Sequence, residues 1–159
     1  MKALAEKVAA ALKAKRALLV TAESCTGGWA AQEVTAIAGS SDWFERGFVT
    51  YSNAAKQELL GVEKRTLETH GAVSEATARE MARGALERSH GTVSLAITGI
   101  AGPSGGSAQK PVGTVCFAWA AKGGPARAET RHFPGDREAV RRQSVEHALA
   151  GVLELLDKR

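Results

Sequence analysis

Apolar residues near the start of the chain recur at the spacing of a helix and then merge into a short continuous run. One side of the helical stretch carries the apolar residues Leu4, Val8, Ala11 and Leu12, with charged residues between them. The run at residues 17–22 is short and almost wholly apolar, which is typical of a strand buried on both faces. The pattern predicts a helix that leads into a strand of an interior sheet.

The alternation of helical and strand-like segments continues to the end of the chain. Apolar or β-favouring runs predict further strands at residues 43–51, 92–98, 112–120 and 128–133. Helical spacing behind capping residues predicts helices at residues 26–36 and 54–60, after Ser74 as far as Gly91, and after Asp136. Strands that alternate with helices in this way predict an α/β fold in three layers.

The composition fits one compact domain that spans residues 1–159. Hydrophobic residues make up 44% and charged residues 24% of the 159 positions, and no repeat, linker or low-complexity tract divides the chain. Cys25 and Cys116 stand alone, without a Cys-x-x-Cys motif or ligand-spaced histidines. We therefore expect free thiols, no metal site and a reducing compartment such as the cytoplasm.

Charge and aromatic content narrow the class of partner. No stretch approaches the ~20 apolar residues that a membrane-spanning helix needs, so no membrane association is expected. The net charge of +4 suits an anionic partner. Only 5% of the residues are aromatic, and no basic cluster is interleaved with aromatic side chains, which disfavours nucleic acid. A phosphorylated small molecule is the expected partner.

Ser24 lies between the first strand and a helix that opens with Gly27 and Gly28. Glycines at this place let a carbonyl or a phosphate approach the free backbone amides of a helix start, which suits a nucleophile or an anion site. A plain helix cap is the alternative, and the turn taken alone favours it. Cys25 is either a rival nucleophile, since a thiol at a helix N-terminus has a lowered pKa, or a small buried residue.

A serine nucleophile needs a base, and the histidines of this chain lie at loop ends or on helix surfaces. Lys56 is the stronger candidate because burial lowers the pKa of an amine, and Tyr51 is placed to relay the proton. Since Tyr51 ends a strand and Lys56 lies in the next helix, both side chains are able to face one pocket. Without a pocket, such a pair is more often found on the surface.

Two further segments suit a phosphorylated ligand. The glycine-rich segment at residues 98–106 offers backbone amides to a phosphate or a ribose, although a flexible connection between strands is the alternative. Arg137 and Arg141 lie four positions apart at the start of the last helix, where both are able to grip a phosphate. A solvated helix face is the alternative for the two arginines.

Taken together, several segments of this chain closely resemble the CinA C-terminal domain family. The matching segments are residues 22–28, 39–41, 47–56, 70–74, 98–106, 111–115 and 135–141, so the resemblance spans nearly the whole chain. It implies an α/β/α sandwich around a mixed, mostly parallel sheet, a homodimer, and no requirement for a metal or another cofactor. Longer members of the family carry a second domain with pyrophosphatase activity, and that activity is not expected here.

The resemblance also implies an activity. Stand-alone members of this family are nicotinamide-nucleotide amidohydrolases, which convert nicotinamide mononucleotide to nicotinate mononucleotide and ammonia. By resemblance, Ser24 is the nucleophile, and Tyr51 and Lys56 assist it. The residues expected to contact the substrate, a pyridine nucleotide, are Cys25, Thr26, Gly27, Gly28, Gly39, Ser41, Thr98, Gly99, Gly102, Arg137 and Arg141.

Two other interpretations compete with the enzyme. A non-catalytic nucleotide-binding module would keep the glycine-rich segment and the arginines without needing a reactive Ser24. A DNA-associated role rests on the basic charge alone and predicts binding that weakens steeply with salt. Release of ammonia from nicotinamide mononucleotide distinguishes the enzyme from both.

Overall fold

The structure, a computed structural model, describes residues 1–158 as one α/β domain built on a five-stranded sheet with the strand order β2-β1-β3-β4-β5. The strands are β1 Leu19–Glu23, β2 Phe44–Val49, β3 Val93–Gly99, β4 Thr114–Ala121 and β5 Ala126–His132. β1 is parallel to both β2 and β3, whereas β4 is antiparallel to β3 and to β5. Four of the five strands therefore run in one direction, which confirms the mixed, mostly parallel sheet.

Helices cover both faces of the sheet. They are α1 Lys2–Ala14, α2 Trp29–Thr35, α3 Asn53–Leu60, α4 Lys64–His70, α5 Glu75–Glu87 and α6 Arg137–Asp157, with a short 3-10 helix at Ser40–Asp42. One apolar core joins α1, α2 and α6 to one face of the sheet, and a second joins α3, α4 and α5 to the other. The three-layer α/β/α arrangement is thereby confirmed. No helix within residues 1–158 is long and apolar enough to cross a bilayer.

Strand β4 shows how the two faces differ. Its large apolar residues, Val115, Phe117 and Trp119, belong to the core beneath α1 and α6. Its small residues, Cys116, Ala118 and Ala120, belong to the core beneath α5. Side chains of a strand alternate between the two faces of the sheet. The small residues on one face of β4 therefore let α5 pack close to the sheet, whereas the large residues on the other face hold α6 further away.

The helix starts follow the capping chemistry that the sequence predicts, with one difference. Ser52, Ser74 and Asp136 each accept a hydrogen bond from a backbone amide at the start of α3, α5 and α6. However, α2 begins at Trp29 and not at residue 26. Gly27 and Gly28 have φ values of 58° and 106°, in the left-handed region that favours glycine, so the helix starts only after them.

Helix α4 is an element that the sequence pattern did not predict. Only Thr66 and Leu67 of its seven residues are buried, so its apolar periodicity is too weak to see. A side chain from α5 holds it instead, since the Glu80 carboxylate accepts from the Glu63 amide at 2.8 Å and from the Thr66 hydroxyl at 2.5 Å. This helix is therefore defined by a tertiary contact.

Gly84 sets the distance between α5 and α3. A Cβ atom at this position would collide with the backbone carbonyl of Leu60, the last residue of α3. Glycine within a helix is otherwise unfavourable relative to alanine by about 0.5–1 kcal/mol. The close contact outweighs that cost, and it places α3 so that Lys56 reaches the carboxyl edge of the sheet.

We predict that Gly84→Ala destabilises the protein in spite of its better helix propensity. Overpacking typically costs about 1–3 kcal/mol, which exceeds the gain in propensity. Urea unfolding measures the difference in the free energy of unfolding. Arg83→Ala, at the exposed neighbouring position, is the control and should change stability by less than about 0.5 kcal/mol. A Gly84→Ala protein as stable as the wild type would contradict this account of the packing.

Candidate active site

Ser24 directly follows β1 and lies at the carboxyl edge of the parallel strands. Its amide donates to the Ile97 carbonyl of β3 at 2.9 Å, and its own carbonyl accepts from the Gly27 amide at 3.0 Å. The residue that caps α2 is Gly28 and not Ser24, so the plain helix cap does not describe this serine. Ligands of open α/β sheets bind at this edge, outside the carboxyl ends of the strands.

The Glu23 side chain satisfies backbone amides in the first turn of α2, although Glu23 itself lies in β1. Its fully buried carboxylate accepts from the Thr26 hydroxyl at 2.6 Å and from the amides of Ala30 and Ala31 at 2.8 and 3.1 Å. These amides belong to the first turn of a helix, where a negative charge is favourable. The carboxylate thus ties the end of β1 to α2 and leaves Ser24 free to face the other way.

Lys56 contacts Ser24 directly. The side chain is only 1% exposed, and its Nζ lies 3.0 Å from Ser24 Oγ, 3.0 Å from the Thr50 carbonyl oxygen and 3.3 Å from the Tyr51 carbonyl oxygen. The sequence hypothesis that these side chains share a pocket is consistent with this geometry. All three contacts are to neutral oxygen atoms.

The surroundings of Lys56 favour its uncharged form. Burial lowers the pKa of the amine below its usual range. Lys56 Nζ donates to Ser24 Oγ and to the two carbonyls, while the Ser24 hydroxyl donates to the Tyr51 carbonyl at 3.4 Å. In its uncharged form, an amine has a lone pair that is able to accept the Ser24 proton. This arrangement allows Lys56 to remove the proton of Ser24.

Cys25 does not have the lowered pKa that the sequence suggested. The residue is 5% exposed, and burial raises the pKa of its thiol to about 12. The expected effect of a helix start is therefore outweighed by desolvation. At neutral pH the thiol stays protonated, which makes it a poor nucleophile beside the Ser24–Lys56 pair.

Tyr51 contributes in a different way from the relay inferred from the sequence. Its ring is 59% exposed, and its hydroxyl accepts a hydrogen bond from the Arg137 guanidinium at 3.1 Å. Its backbone carbonyl is the part that contacts Lys56. Since Lys56 reaches Ser24 without an intermediary, the geometry needs no proton relay through the phenol.

A cleft of about 290 Å³ opens over Ser24. The cleft is bounded by the end of β1, the start of α3, the glycine-rich loop and Arg137, and its lining residues include Ser24, Cys25, Tyr51, Asn53, Lys56, Ala72, Val73, Thr98, Gly99, Ile100, Ala101, Gly102, Ser104, Gly105 and Arg137. The Thr98 hydroxyl donates to the Ala72 carbonyl at 2.8 Å, and Arg137 donates to the Gly102 carbonyl at 2.8 Å. These two bonds hold residues that line the cleft.

Some lining residues were not singled out from the sequence. Asn53, Ala72, Val73 and Ile100 lie in the cleft wall although none was named as a site residue. Each lies within a segment that carried the family resemblance. Their residue types gave no signal, since small apolar residues and an asparagine at a helix start have ordinary structural roles.

Gly39 and Ser41 lie at the other edge of the sheet. They precede β2, which runs parallel to β1, so they are at the amino edge of the parallel strands whereas Ser24 is at the carboxyl edge. Neither residue lines the cleft over Ser24. The substrate contacts expected from these two residues stay a prediction, and one chain does not bring either residue to this cleft.

The remaining candidates shape the turn behind Ser24. The Thr26 hydroxyl is bonded to Glu23, and Gly27 and Gly28 form the left-handed turn before α2. Arg141 donates to the carbonyls of Cys25 and Thr26 at 3.1 and 3.2 Å, and it is absent from the cleft lining. Among residues 1–158, no cluster of histidine, cysteine, aspartate or glutamate is arranged to hold a metal ion.

The site places a serine beside a buried lysine, and no histidine is among the residues that line the cleft. Such serine–lysine pairs are a known variant of the catalytic triad. The chain belongs to the CinA C-terminal domain family, whose pattern matches residues 1–156.

Known relatives match along most of their length. A nicotinamide-nucleotide amidohydrolase PncC from Escherichia coli K12 is 57% identical over 146 residues, which cover 92% of this chain and 88% of that protein. A protein of the same name from Pseudomonas putida is 49% identical over 152 residues, covering 96% and 94% of the two chains.

Solved structures agree with the fold. A CinA superfamily protein from Klebsiella pneumoniae superposes with a TM-score of 0.95 at 42% identity, covering 99% of this chain and 98% of that one. The competence/damage inducible protein CihA from Agrobacterium tumefaciens superposes with a TM-score of 0.93 at 46% identity, covering 98% and 94%.

We predict that Lys56 makes stability depend on pH. Between its lowered pKa in the folded state and its ordinary value of 10.5, the unfolded chain binds more protons, so stability rises with pH over this range. Lys56→Met should remove that rise. Urea unfolding at a series of pH values below 10.5 measures it.

Lys64→Met is the control for this measurement, because the Lys64 side chain is 78% exposed. It should keep the pH dependence of the wild type. If Lys56→Met also kept the dependence, the amine would not be destabilised by burial as described.

Proposed function

We propose that this amidohydrolase acts on nicotinamide mononucleotide, with Ser24 as nucleophile and Lys56 as general base, and releases nicotinate mononucleotide and ammonia. The observation that carries the proposal is the 3.0 Å contact between Ser24 Oγ and the buried Lys56 Nζ inside the cleft. The names of the curated relatives support the substrate class. The two lines of support are independent, because one is geometry and the other is sequence identity.

In the first step, Lys56 takes the hydroxyl proton as Ser24 Oγ bonds to the carboxamide carbon. The carbonyl oxygen becomes an oxyanion, which needs hydrogen-bond donors placed in advance. The amides of Cys25 and Thr26 make no backbone hydrogen bond within the described chain and lie beside Ser24. They are the nearest donors of this kind in the sequence, and we assign them this role.

In the second step, the carbon–nitrogen bond breaks and Lys56 returns its proton to the leaving amine, which departs as ammonia. An ester between Ser24 and the nicotinoyl group remains. Lys56, neutral again, then removes a proton from a water molecule that attacks this ester. The acid leaves, and Ser24 regains its proton from Lys56.

The walls of the cleft suit the rest of the substrate. Ala72, Val73 and Ile100 offer apolar surface to a flat pyridine ring. Arg137 uses two of its five N–H donors within the protein, on Gly102 and Tyr51, so three stay available for a phosphate. Arg137 is the guanidinium among the cleft residues, which makes it the better phosphate contact of the two arginines considered from the sequence.

The oligomeric state and the compartment are part of the same proposal. The family resemblance predicts a homodimer, and the two lone cysteines predict a cytoplasmic protein. The low aromatic content of 5% predicts that the protein does not act on nucleic acid. Sedimentation analysis of the purified protein tests the dimer.

We predict that Ser24→Ala abolishes ammonia release from nicotinamide mononucleotide. Loss of a nucleophile typically lowers kcat by about 10⁴-fold or more. Cys25→Ala is the matched control at the adjacent position, and it should keep activity within about tenfold since the thiol is protonated at neutral pH. Ammonia is measured by a coupled assay.

The same assay distinguishes the alternatives. Full activity in Ser24→Ala would show that Ser24 is not the nucleophile. Loss of activity in Cys25→Ala alone would indicate that the Cys25 thiol is the nucleophile. Tight binding of the nucleotide by wild type without any ammonia would favour a non-catalytic binding module.

We also predict that Arg137→Met weakens the use of the phosphorylated substrate selectively. Loss of a hydrogen bond to a charged group costs about 1.5–3 kcal/mol, which corresponds to about a tenfold to hundredfold lower kcat/KM. The control is nicotinamide riboside, which lacks the phosphate and should be used equally by wild type and variant. An equal loss on both substrates would show that Arg137 acts through the cleft wall instead.

A further inference from the structure

Arg141 contacts the turn that follows Ser24, residues 25–28, and it does not line the cleft. Its Nε donates to the Cys25 carbonyl at 3.1 Å and its Nη2 donates to the Thr26 carbonyl at 3.2 Å. The guanidinium also lies 5.4 Å from the centre of the Trp29 ring, a stacking distance for a cation. A charged side chain from α6 therefore holds two consecutive carbonyls of the turn that follows Ser24.

The contacts of Arg141 fix which way the amides of the turn point. In a planar trans peptide unit, the C=O and the N–H point in opposite directions. When the Cys25 carbonyl is directed at Arg141, the Thr26 amide of the same unit is directed away from it. The Ser24 carbonyl is likewise fixed by the Gly27 amide at 3.0 Å, which directs the Cys25 amide.

Glu23 complements this arrangement from the other side of the turn. Its carboxylate accepts hydrogen bonds from two amides of α2, whereas Arg141 donates hydrogen bonds to two carbonyls of the turn. The negative group therefore binds backbone N–H groups, and the positive group binds backbone C=O groups. The amides of Cys25, Thr26 and Gly28 are the backbone donors of the turn that no carbonyl of the described residues satisfies, and those of Cys25 and Thr26 are nearest to Ser24 in the sequence.

We propose that Arg141 is a positioning residue that orients and polarises the Thr26 amide as a donor to the oxyanion formed at Ser24. A guanidinium on the carbonyl of a peptide unit draws electron density from its amide, so the amide becomes a stronger donor. The inference rests on Ser24 being the nucleophile of the proposed function. In this proposal Arg141 helps to stabilise the transition state and does not bind the substrate phosphate.

The test compares Arg141→Met with Arg142→Met. Arg142 lies over the same Trp29 ring, at 5.8 Å, and pairs with Glu138, but it makes no hydrogen bond to the turn. Arg141→Met should lower kcat by about tenfold to hundredfold with KM changed by less than threefold, given that loss of one oxyanion donor costs about 10²–10³. Arg142→Met should match the wild type.

Three readouts exclude a merely structural effect. The pH at which activity falls on the acidic side should not move, since Lys56 is untouched. Arg141→Lys, which keeps a charge able to reach one carbonyl, should retain more of the rate than Arg141→Met. A rise in KM together with the fall in kcat, a shift of the acidic limb, or a rate for Arg141→Lys no better than for Arg141→Met would overturn the proposal.

A second reaction separates this inference from the choice of substrate. A fluorophosphonate reacts with an activated serine, forming the Oγ–P bond while fluoride leaves and the hydroxyl proton passes to Lys56. Mass spectrometry gives the rate of Ser24 modification, which should fall in Arg141→Met and not in Arg142→Met. That result without ammonia release would sustain this inference and reject the proposed substrate. Equal rates in both variants, or no modification of wild-type Ser24, would overturn it.

Discussion

The burial of one amine among neutral oxygen atoms is the constraint on which the rest of the site depends. Lys56 is only 1% exposed, and it has carbonyl and hydroxyl partners where a structural lysine would have a carboxylate. Such a position is unfavourable for a cation, and burial lowers the pKa of the amine accordingly. The fold keeps it there through the short helix α3, the Ser52 cap and the tight approach of Gly84 to Leu60.

The serine turn shows how charged groups shape a site without entering it. Glu23 satisfies amides on the α2 side, and Arg141 satisfies carbonyls on the α6 side. In both cases a side chain satisfies backbone groups, because a turn with two left-handed glycines has few hydrogen bonds between its own backbone groups. Arginine suits this task, since its fork of donors reaches two carbonyls at once.

The sequence predicted the order of the strands and of all helices except α4, and three of the helix caps. It singled out Ser24 and Lys56 as partners but joined them through Tyr51, whereas the two side chains are in direct contact. It did not predict α4, because that helix depends on Glu80 and has little apolar pattern. Of the two interpretations of Cys25, the small buried residue is confirmed, and the lowered pKa is wrong because desolvation outweighs the helix start. Ser41 was predicted to contact the substrate, and the parallel pairing of β2 with β1 places it at the opposite edge of the sheet from Ser24.

The two members of the central pair belong to different layers of the sandwich. Ser24 is held by groups on the α2 and α6 side, whereas Lys56 belongs to α3, which packs on the α5 side. The 3.0 Å between them therefore spans two independently packed cores. Any change that slides one core against the other alters this distance before it unfolds either, so the reactivity of Ser24 reports on the alignment of the two layers.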